Sequence, residues 1–400
     1  MRLIHLSDLH LGIRQFQRQT PAGMNQREVD VAGVFQKTVD RVIELAPDLV
    51  LIAGDVFHNV RPPNPSILHT FQHLSRLTRA LPNAIVVMVA GNHDTPRAVE
   101  TGCILRLFAP LGIQVVDTEP RRLSFPEHGL SVLAVPDVPG LSVAYDIDPA
   151  ATYNVLAMHA GMPGSVPDLY GYLEPAAHEV APEDIAFDRW SYVALGHHHV
   201  FAQFRPHACY SGALEYTSIN IWGEVSEQRA GKLPGKGFIE YDLARKKRTF
   251  HKVEPARPIV DLPPITASGM TAADVDAAIA ANARSIKGGV DDKIVRQVVR
   301  EIPRHVAREL DHKMLRELRR RALQYHLDTR RPELLRALPL TGVGGRRPSL
   351  MEMVRDRLWS RPLTPDIDRE ALVELGMRYL RDAEAREAAT GTATATAEGE

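Results

Sequence analysis

The strongest constraint in this sequence is a set of five short polar runs, each of which directly follows an apolar stretch in the first half of the chain. The runs are Asp8-Leu9-His10, Gly54-Asp55, Gly91-Asn92-His93-Asp94, Met158-His159 and Gly196-His197-His198-His199. The preceding apolar stretches, at 3–6, 49–53, 85–90, 155–157 and 192–195, have the composition of buried strands. Because the carboxyl ends of buried strands meet at one edge of a sheet, we expect the five runs to converge.

The residue types in these runs are those that bind metal ions. Asp, Asn and His that directly follow core strands must find polar partners, because burying them without partners costs free energy. Oxygen and imidazole ligands without thiolate suit manganese, iron or zinc. A carboxylate that can bridge, such as Asp55, suits a pair of ions at a hydrolytic site. The pattern therefore predicts a dinuclear phosphoesterase.

Each run also has a simpler interpretation when it is taken alone. Asp8-Leu9-His10 is explained as well by a turn or a helix start as by metal binding, and Gly54-Asp55 is typical of an ordinary turn. Met158-His159 is more often a core histidine than a ligand. The runs at 91–94 and 196–199 are rarer, because consecutive polar groups after an apolar strand have little structural purpose. Only the ordered combination favours metal binding.

The five runs resemble those of the calcineurin-like metallophosphoesterases. Three further stretches narrow the resemblance to the DNA double-strand-break repair nucleases typified by bacterial SbcD. They are Arg27-Glu28 with Phe35, Gly54-Asp55-Val56-Phe57-His58 with Arg61-Pro62, and Tyr210-Ser211-Gly212-Ala213-Leu214-Glu215 followed by Lys236-Gly237-Phe238. The similarity covers about residues 1–250, and beyond them it is only architectural.

The resemblance implies a role for each ligand residue. It assigns Asp8, His10 and His199 to one metal ion, and Asn92, His159 and His197 to the other, with Asp55 as the bridge. His198 lies between two of these ligands, and neighbouring side chains of an extended segment point to opposite faces. We therefore expect that His198 is not a ligand.

The resemblance also implies the residues that act on the substrate. His93, held by Asp94, is a candidate for the general acid or for a contact to the phosphate, because imidazole titrates near neutral pH. His58 is expected near the substrate phosphate. Arg61 is a candidate for substrate binding.

The function that the resemblance implies is a DNA nuclease with two divalent metal ions, expected to be manganese. Its expected partners are DNA, an SbcC-like coiled-coil ATPase in an SbcCD-like repair complex, and a second copy in a homodimer. A small-molecule phosphodiesterase, acting on a nucleotide or a lipid headgroup, is one alternative, and a non-catalytic scaffold for an ATPase is another. The choice between exonuclease and endonuclease stays open.

The predicted fold class is α/β, a two-sheet metallophosphoesterase sandwich with a small α+β capping domain and a C-terminal helical extension. We place the catalytic domain at 1–253 and the capping domain at 254–335, after a proline-containing stretch. A linker and a helical segment that docks on the ATPase follow at 336–388, and 389–400 is expected to be disordered.

Several elements are predicted inside these units. Helices are expected at 31–45 and 66–81, with 25–30 as a polar loop that could contact substrate. In the capping domain we expect a helix at 271–286, a strand at 293–302, a helix at 305–322 and a strand at 323–328.

Charge and composition add weaker predictions. The net charge of −1 does not by itself indicate a nucleic-acid-binding protein. The capping domain is locally basic, and Arg316, Arg319, Arg320 and Arg321 crowd one helical stretch, as either a solvated face or a phosphate-binding one. The two cysteines match no metal spacing and are not expected to form a disulfide. Without a signal-like or membrane-spanning run, the cytoplasm is the expected location, with no membrane contact.

Overall fold

The structure is a computed structural model that describes residues 1–96, 102–163, 175–332, 350–360 and 368–381. Its contacts divide the chain into a unit of Met1–Pro332 and a unit of Glu333–Glu400.

The first sheet of the larger unit has six strands in the order β12-β11-β1-β2-β3-β4. Its strands are β1 (Arg2–Leu6), β2 (Leu49–Ala53), β3 (Ile85–Val89), β4 (Gln114–Val116), β11 (Gly237–Asp242) and β12 (Lys247–Lys252). The four strands β1 to β4 run parallel, whereas β11 and β12 pair antiparallel. The carboxyl ends of β1, β2 and β3 therefore lie side by side.

The second sheet also has six strands, in the order β5-β6-β7-β8-β10-β9. Its strands are β5 (Arg121–Phe125), β6 (Leu130–Val135), β7 (Tyr153–His159), β8 (Tyr192–Gly196), β9 (Ala202–Arg205) and β10 (Ala208–Tyr210). β6, β7, β8 and β10 are parallel, and the edge strands β5 and β9 are antiparallel.

The two sheets pack face to face, because alternate strand residues are apolar on both faces. Leu49 and Leu51 of β2 lie in a core with Val155 and Ala157 of β7, between the sheets. The outer face of the first sheet is covered by α1 (Gln26–Leu45), α2 (Asn64–Ala80) and a 3₁₀ helix (Ile104–Leu111). α3 (Pro182–Ile185) and a 3₁₀ turn (Phe187–Arg189) cover the second sheet, and a further 3₁₀ turn is Pro126–His128. The predicted α/β sandwich is confirmed.

A third, smaller sheet follows α4 (Ile221–Ala230) and lies in its own hydrophobic core. Its central strand pairs in parallel with the other three. The elements are β13 (Ile259–Asp261), β14 (Ile265–Thr266), α5 (Ala272–Ser285), β15 (Ile294–Arg300), α6 (Arg304–Arg308), α7 (His312–Arg321) and β16 (Gln324–Thr329). We call Ile259–Thr329 the cap.

Two predictions about local structure were wrong. Residues 25–30 are not a loop, because Asn25 is the N-cap of α1 and accepts hydrogen bonds from the backbone of Arg27 and Glu28. The helix predicted at 305–322 is two helices, since Asp311 caps the start of α7. In both cases the error concerned an N-cap residue. Asn25 was taken as part of a loop, and Asp311 was taken as part of a helix interior.

In the smaller unit, α8 (Leu350–Trp359) is followed by a helical stretch at 369–381. The predicted linker at 342–348 and the predicted disordered tail at 389–400 lie outside the described residues. Within the ranges that the structure describes, no helix combines the length and the apolar character needed to cross a bilayer.

Candidate metal centre

The five polar runs meet at the carboxyl ends of the parallel strands. Asp8 follows β1, Asp55 follows β2 and Asn92 follows β3, whereas His159 ends β7 and His197 follows β8. The two sheets face each other, so the strand ends of one sheet lie opposite those of the other. Sequence-distant side chains are thereby brought into one buried cluster.

Asp55 lies at the middle of the cluster. Its Oδ2 atom is 3.6 Å from His10 Nε2 and 3.5 Å from His159 Nε2. Its other oxygen accepts a hydrogen bond from the backbone N–H of His93 (3.0 Å). One carboxylate oxygen thus lies between two imidazole nitrogens that come from different sheets.

A first group of possible ligands gathers on one side of Asp55. Asp8, His10, Asp55 and His199 have ligand atoms within 4.8 Å of one another. The Nε2 atoms of His10 and His199 are 2.9 Å apart. Asp8 is fixed by the backbone N–H of His197, which donates to its Oδ1 (2.9 Å). This is one of the two sets that the sequence predicted.

A second group lies on the other side, around His159. The Oδ1 atom of Asn92 is 3.0 Å from His159 Nε2. His159 and His197 also form a cluster with Asp137, which the sequence did not predict. Asp137 follows β6, which pairs with β7, so it has the same strand-end position as the other acids. That position was the signal that could have found it.

The loops that carry these side chains are strained. Asp8, His10, Asp55 and His197 all have positive φ angles, of 53°, 46°, 51° and 111°. Residues other than glycine rarely adopt such angles, and they are concentrated at functional sites.

Glycine is needed at Gly91 because of a close approach. A Cβ atom at this position would lie 2.1 Å from Asp55 Oδ1 and 2.5 Å from the backbone nitrogen of Asp55. Only a residue without a side chain lets the loop after β3 contact Asp55. The glycine before Asn92 therefore helps to position the central carboxylate.

The electrostatic environment differs between the two sides of the site. Burial lowers the pKa of His10 well below its ordinary value, and the neighbouring imidazoles His199 and His93 lower it further. Burial also opposes protonation of His159, but the carboxylates of Asp55, Asp8 and Asp137 outweigh it and raise its pKa. His10 is therefore held as a neutral ring, the form in which imidazole binds metal.

The donor set fits two divalent cations. Asp8, Asp55 and Asp137 are all nearly fully buried. Burying several carboxylates without cations is costly. Each group offers carboxylate and imidazole donors without thiolate, a set that suits manganese, iron or zinc.

His93 lies next to these groups, with its ring centroid 4.8 Å from that of His10. Its Nδ1 atom donates to the backbone carbonyl of His58 (2.8 Å), which leaves Nε2 as the atom that can carry or accept a proton. His58 itself lies beside His10, with 3.2 Å between their Nδ1 atoms.

Asp94, the predicted neighbour of His93, is buried and binds the backbone of two loops. Its carboxylate accepts hydrogen bonds from the backbone N–H groups of Val56, Phe57 and Gly91. Burial, and then the charge of Asp55, raise its pKa. Asp94 therefore connects the loop after β2 to the loop after β3. The backbone carbonyl of His58 accepts a hydrogen bond from the His93 ring.

Behind His199 lies a buried ion pair between Glu224 of α4 and Lys236, which sequence reasoning missed. Lys236 pairs with Glu224, and its ammonium also donates to the backbone carbonyl of His199 (2.8 Å). Glu224 Oε1 is 3.6 Å from His199 Nδ1, which is longer than a hydrogen bond. Burial raises the pKa of Glu224, but Lys236 and His199 outweigh it and bring the pKa to about 2.

The four predicted substrate-binding arginines lie on the surface. Arg61 follows β2, and Arg316, Arg319 and Arg320 lie on α7, all exposed. Arg320 forms an ion pair with Glu317. In the part of the chain that the structure describes, neither Arg316 nor Arg319 has an ion-pair partner. The metal cluster does not include any of the four.

Comparisons with known proteins agree with this geometry. The family model of the calcineurin-like phosphoesterases matches residues 1–216. The chain is 28% identical over 264 residues to the DNA double-strand break repair protein Mre11 of Methanopyrus kandleri, covering 60% of this chain and 54% of that protein. It is 25% identical over 260 residues to Mre11 of Methanococcus maripaludis, covering 61% of this chain and 63% of that protein.

A third relative, Mre11 of Haloferax volcanii, is 30% identical over 213 residues, covering 50% of this chain and 41% of that protein. The chain thus spans between about two fifths and two thirds of the length of these relatives. The family model spans more than half of the chain, including every polar run that forms the cluster. This chain belongs to the calcineurin-like phosphoesterase family.

Proposed function

We propose that this protein is a DNA nuclease that hydrolyses phosphodiester bonds with two divalent metal ions, preferably manganese. The observation that carries the proposal is the position of Asp55, whose Oδ2 atom lies within 3.6 Å of imidazole nitrogens on both sides. A single carboxylate between two donor groups is the arrangement that a bridged metal pair requires.

In this proposal, Asp8, His10 and His199 hold one ion, and Asn92, His159 and His197 hold the other. When bound, such a pair lowers the pKa of a water molecule and offsets the charge of the substrate phosphate. Asp137 contacts the second group and extends the predicted ligand set.

Proton transfer and substrate contact are assigned to two histidine side chains. The ring of His93 lies 4.8 Å from that of His10, and its Nδ1 is held by the carbonyl of His58. We assign to His93 the transfer of a proton to the leaving oxygen, a step for which a side chain with a pKa near neutrality is suited. We assign to His58, whose Nδ1 lies 3.2 Å from that of His10, a contact with the substrate phosphate.

Three observations support DNA as the substrate. The relatives that align with the chain are named as DNA double-strand break repair proteins. The cap places Arg316 and Arg319 on an exposed helix, where they can bind phosphates without reading sequence. We call the part of the larger unit that precedes the cap the catalytic unit. Arg18 of the catalytic unit donates to the backbone carbonyls of Arg320 and Ala322, and it therefore holds the cap, with its arginines, beside the metal centre.

An SbcC-like ATPase is the partner that we propose for the C-terminal helices. Trp359, Leu375 and Tyr379 are 52%, 41% and 66% exposed. Short helices are marginally stable unless their apolar face is buried, and exposed apolar patches mark interaction sites. We therefore expect a partner to cover these side chains. Deleting 336–388 is expected to abolish capture by the ATPase coiled coil, and equal capture with and without these residues would remove the partner from the proposal.

We also propose a homodimer, formed through helices of the catalytic unit. Leu68 and Phe71 on α2 and Leu107 on the neighbouring 3₁₀ helix are large apolar residues that are exposed on one side of the first sheet. Leu68→Glu is expected to convert a dimer into a monomer in sedimentation. A location in the cytoplasm is part of the same proposal.

The two alternatives make different predictions. A small-molecule phosphodiesterase needs neither a cap nor exposed C-terminal helices, and a scaffold protein needs no buried ligand set. End-labelled linear duplex and hairpin DNA, together with a small chromogenic phosphodiester, distinguish the three when manganese is supplied. We expect cleavage of DNA that a chelator stops and manganese restores. Turnover of the small ester with intact DNA would favour the first alternative, and no turnover of either would favour the second.

A further inference from the structure

A cavity of about 570 Å³ lies next to His58, between the catalytic unit and the cap. Its lining includes Gln15, Phe16, Thr217 and Trp222 on one side and His326 of β16 on the other. The volume is in the range of small-molecule binding pockets, about 300–1,000 Å³.

Two residues that line the cavity carry a buried polar atom without a hydrogen-bond partner among the described residues. Thr217 is 1% exposed, and its Oγ1 atom lacks a hydrogen-bond partner among the described residues. The same is true of Gln15 Oε1, although its amide nitrogen donates to the carbonyl of Ser218 (2.8 Å). Buried polar atoms are nearly always paired, so an unpaired hydroxyl and an unpaired carbonyl on two residues that line one cavity favour a polar ligand beside them.

Part of the remaining wall is aromatic or apolar, formed by Phe16, Ile219, Ile221 and Trp222, and the rest is polar. Phe16 and Trp222 pack against Ile221 and Leu323 between the catalytic unit and the cap. Phe16 has a φ of 60°, a strained angle for a bulky residue, and such strain is typical of binding sites. Ile219 stands at the edge of the cavity with 84% of its surface exposed, more than any other large hydrophobic residue whose exposure the structure describes.

We propose that this cavity binds the base of one unpaired nucleotide next to the phosphodiester that is cleaved, with Ile219 as a wedge against the neighbouring base. A nucleobase combines a flat apolar face with a hydrogen-bonding edge, and the cavity combines aromatic walls with hydroxyl and amide groups. The inference rests on the proposed nuclease function.

The position of the cavity fits this occupant. It opens beside His58, whose ring is 3.2 Å from that of the candidate ligand His10, so a base bound here has its phosphate near the metal centre. Arg14 also lines the cavity; its Nε is paired with Glu28 (2.9 Å), and its exposed guanidinium adds a positive group at the cavity edge. A base in a continuous duplex cannot enter, so the cavity favours ends, loops and hairpin tips over paired DNA.

The test uses the full chain with manganese and end-labelled DNA that carries one abasic nucleotide at each position around the mapped cleavage site. Removing the base at the bound position is expected to slow cleavage about tenfold, because stacking of one base on aromatic side chains contributes that order of binding. Thr217→Val and Ile219→Glu are expected to lower cleavage of intact DNA relative to the small ester. In Thr217→Val and Ile219→Glu, the removal of the base should slow cleavage less than it does in the unchanged protein. In Thr217→Ser and Ile219→Leu, it should slow cleavage as much as in the unchanged protein.

The outcomes separate the inference from the function on which it rests. Cleavage of DNA at equal rates with every abasic substrate would overturn the nucleotide-binding cavity and leave the nuclease in place. Turnover of the small ester without cleavage of any DNA would overturn both. A position-dependent loss that Thr217→Val does not reduce would place the base in another part of the protein.

Discussion

Lys236 forms a fully buried ion pair with Glu224, and this pair lies directly behind His199. The ammonium contacts the backbone of His199, and the carboxylate lies 3.6 Å from its ring nitrogen. Because α4 carries Glu224 and also packs on the cap through Trp222, one helix contacts both the candidate metal centre and the cap.

This arrangement makes Glu224 a positioning residue for the candidate metal ligand His199. Glu224→Gln is expected to weaken manganese binding about 10- to 100-fold, as is typical when a group behind a ligand is lost. It also leaves Lys236 without its counter-ion, which costs about 3–5 kcal/mol of folding free energy. Isothermal titration with manganese and urea unfolding measure the two effects.

The control is Glu227→Gln on the same helix. Glu227 contacts His198, which we expect not to be a ligand, at 3.1 Å. Manganese affinity should be nearly unchanged in this variant. An equal loss of manganese affinity in the two variants would mean that both substitutions act by disturbing the fold of α4, and that Glu224 does not position His199.

His93 is the residue whose loss should affect cleavage without affecting the metal centre. His93→Ala is expected to lower the rate of DNA cleavage by about 10²- to 10⁴-fold, the usual contribution of a general acid. Metal content, measured by mass spectrometry of the metal-loaded protein, should stay the same. His128→Ala, on the short 3₁₀ turn, serves as the control. If metal is lost together with activity, His93 has a ligand role instead.

Gly91 should tolerate no side chain. Gly91→Ala would place a methyl group 2.1 Å from an oxygen of Asp55, so the central carboxylate must move. We expect DNA cleavage and manganese binding to fall together. Gly33→Ala is the matched control, because Gly33 lies inside α1 with open space around it. That variant should be more stable by about 0.5–1 kcal/mol and fully active.

His5 is expected to make the protein sensitive to acid. It lies on β1 with Nε2 facing the carbonyl of Leu195 and Nδ1 facing the hydroxyl of Tyr192, and burial lowers its pKa to about 3. The unfolded chain binds a proton near pH 6.5, but the folded chain does not until about pH 3. Stability is therefore lost as the pH falls through this window, by about 2 kcal/mol between pH 7 and pH 5.

His5→Gln keeps a donor for Leu195 and an acceptor for Tyr192 but does not titrate. In urea unfolding, the difference between pH 7 and pH 5 is expected to shrink by about 2 kcal/mol in this variant. An unchanged pH dependence would show that other groups cause the loss.

The sequence predicted the sandwich well because strand and ligand signals coincide there. β2 was predicted with the same ends as observed, since an apolar run is followed at once by glycine and aspartate. Asp137 was missed because it has no histidine beside it in sequence, and only the pairing of β6 with β7 brings it near His159.

The contacts between the cap and the catalytic unit could not be predicted in the same way. Arg18 bonds to the backbone carbonyls of Arg320 and Ala322, about 300 positions away, and just before the cap Arg257 pairs with Asp30. Such pairs leave no local pattern in the sequence. The role of α4 was missed because its buried residues, among them Ile221, Glu224 and Gln228, do not form a simple apolar stripe.

The central claim is that Asp55 bridges two metal ions, and the most direct test is electron paramagnetic resonance of the protein titrated with manganese. We predict two Mn²⁺ ions per chain with the spectrum of an exchange-coupled pair. Asp55→Asn is expected to abolish the coupling, whereas Gly33→Ala retains it. A single uncoupled Mn²⁺ at saturation, in the unchanged protein, would contradict the account.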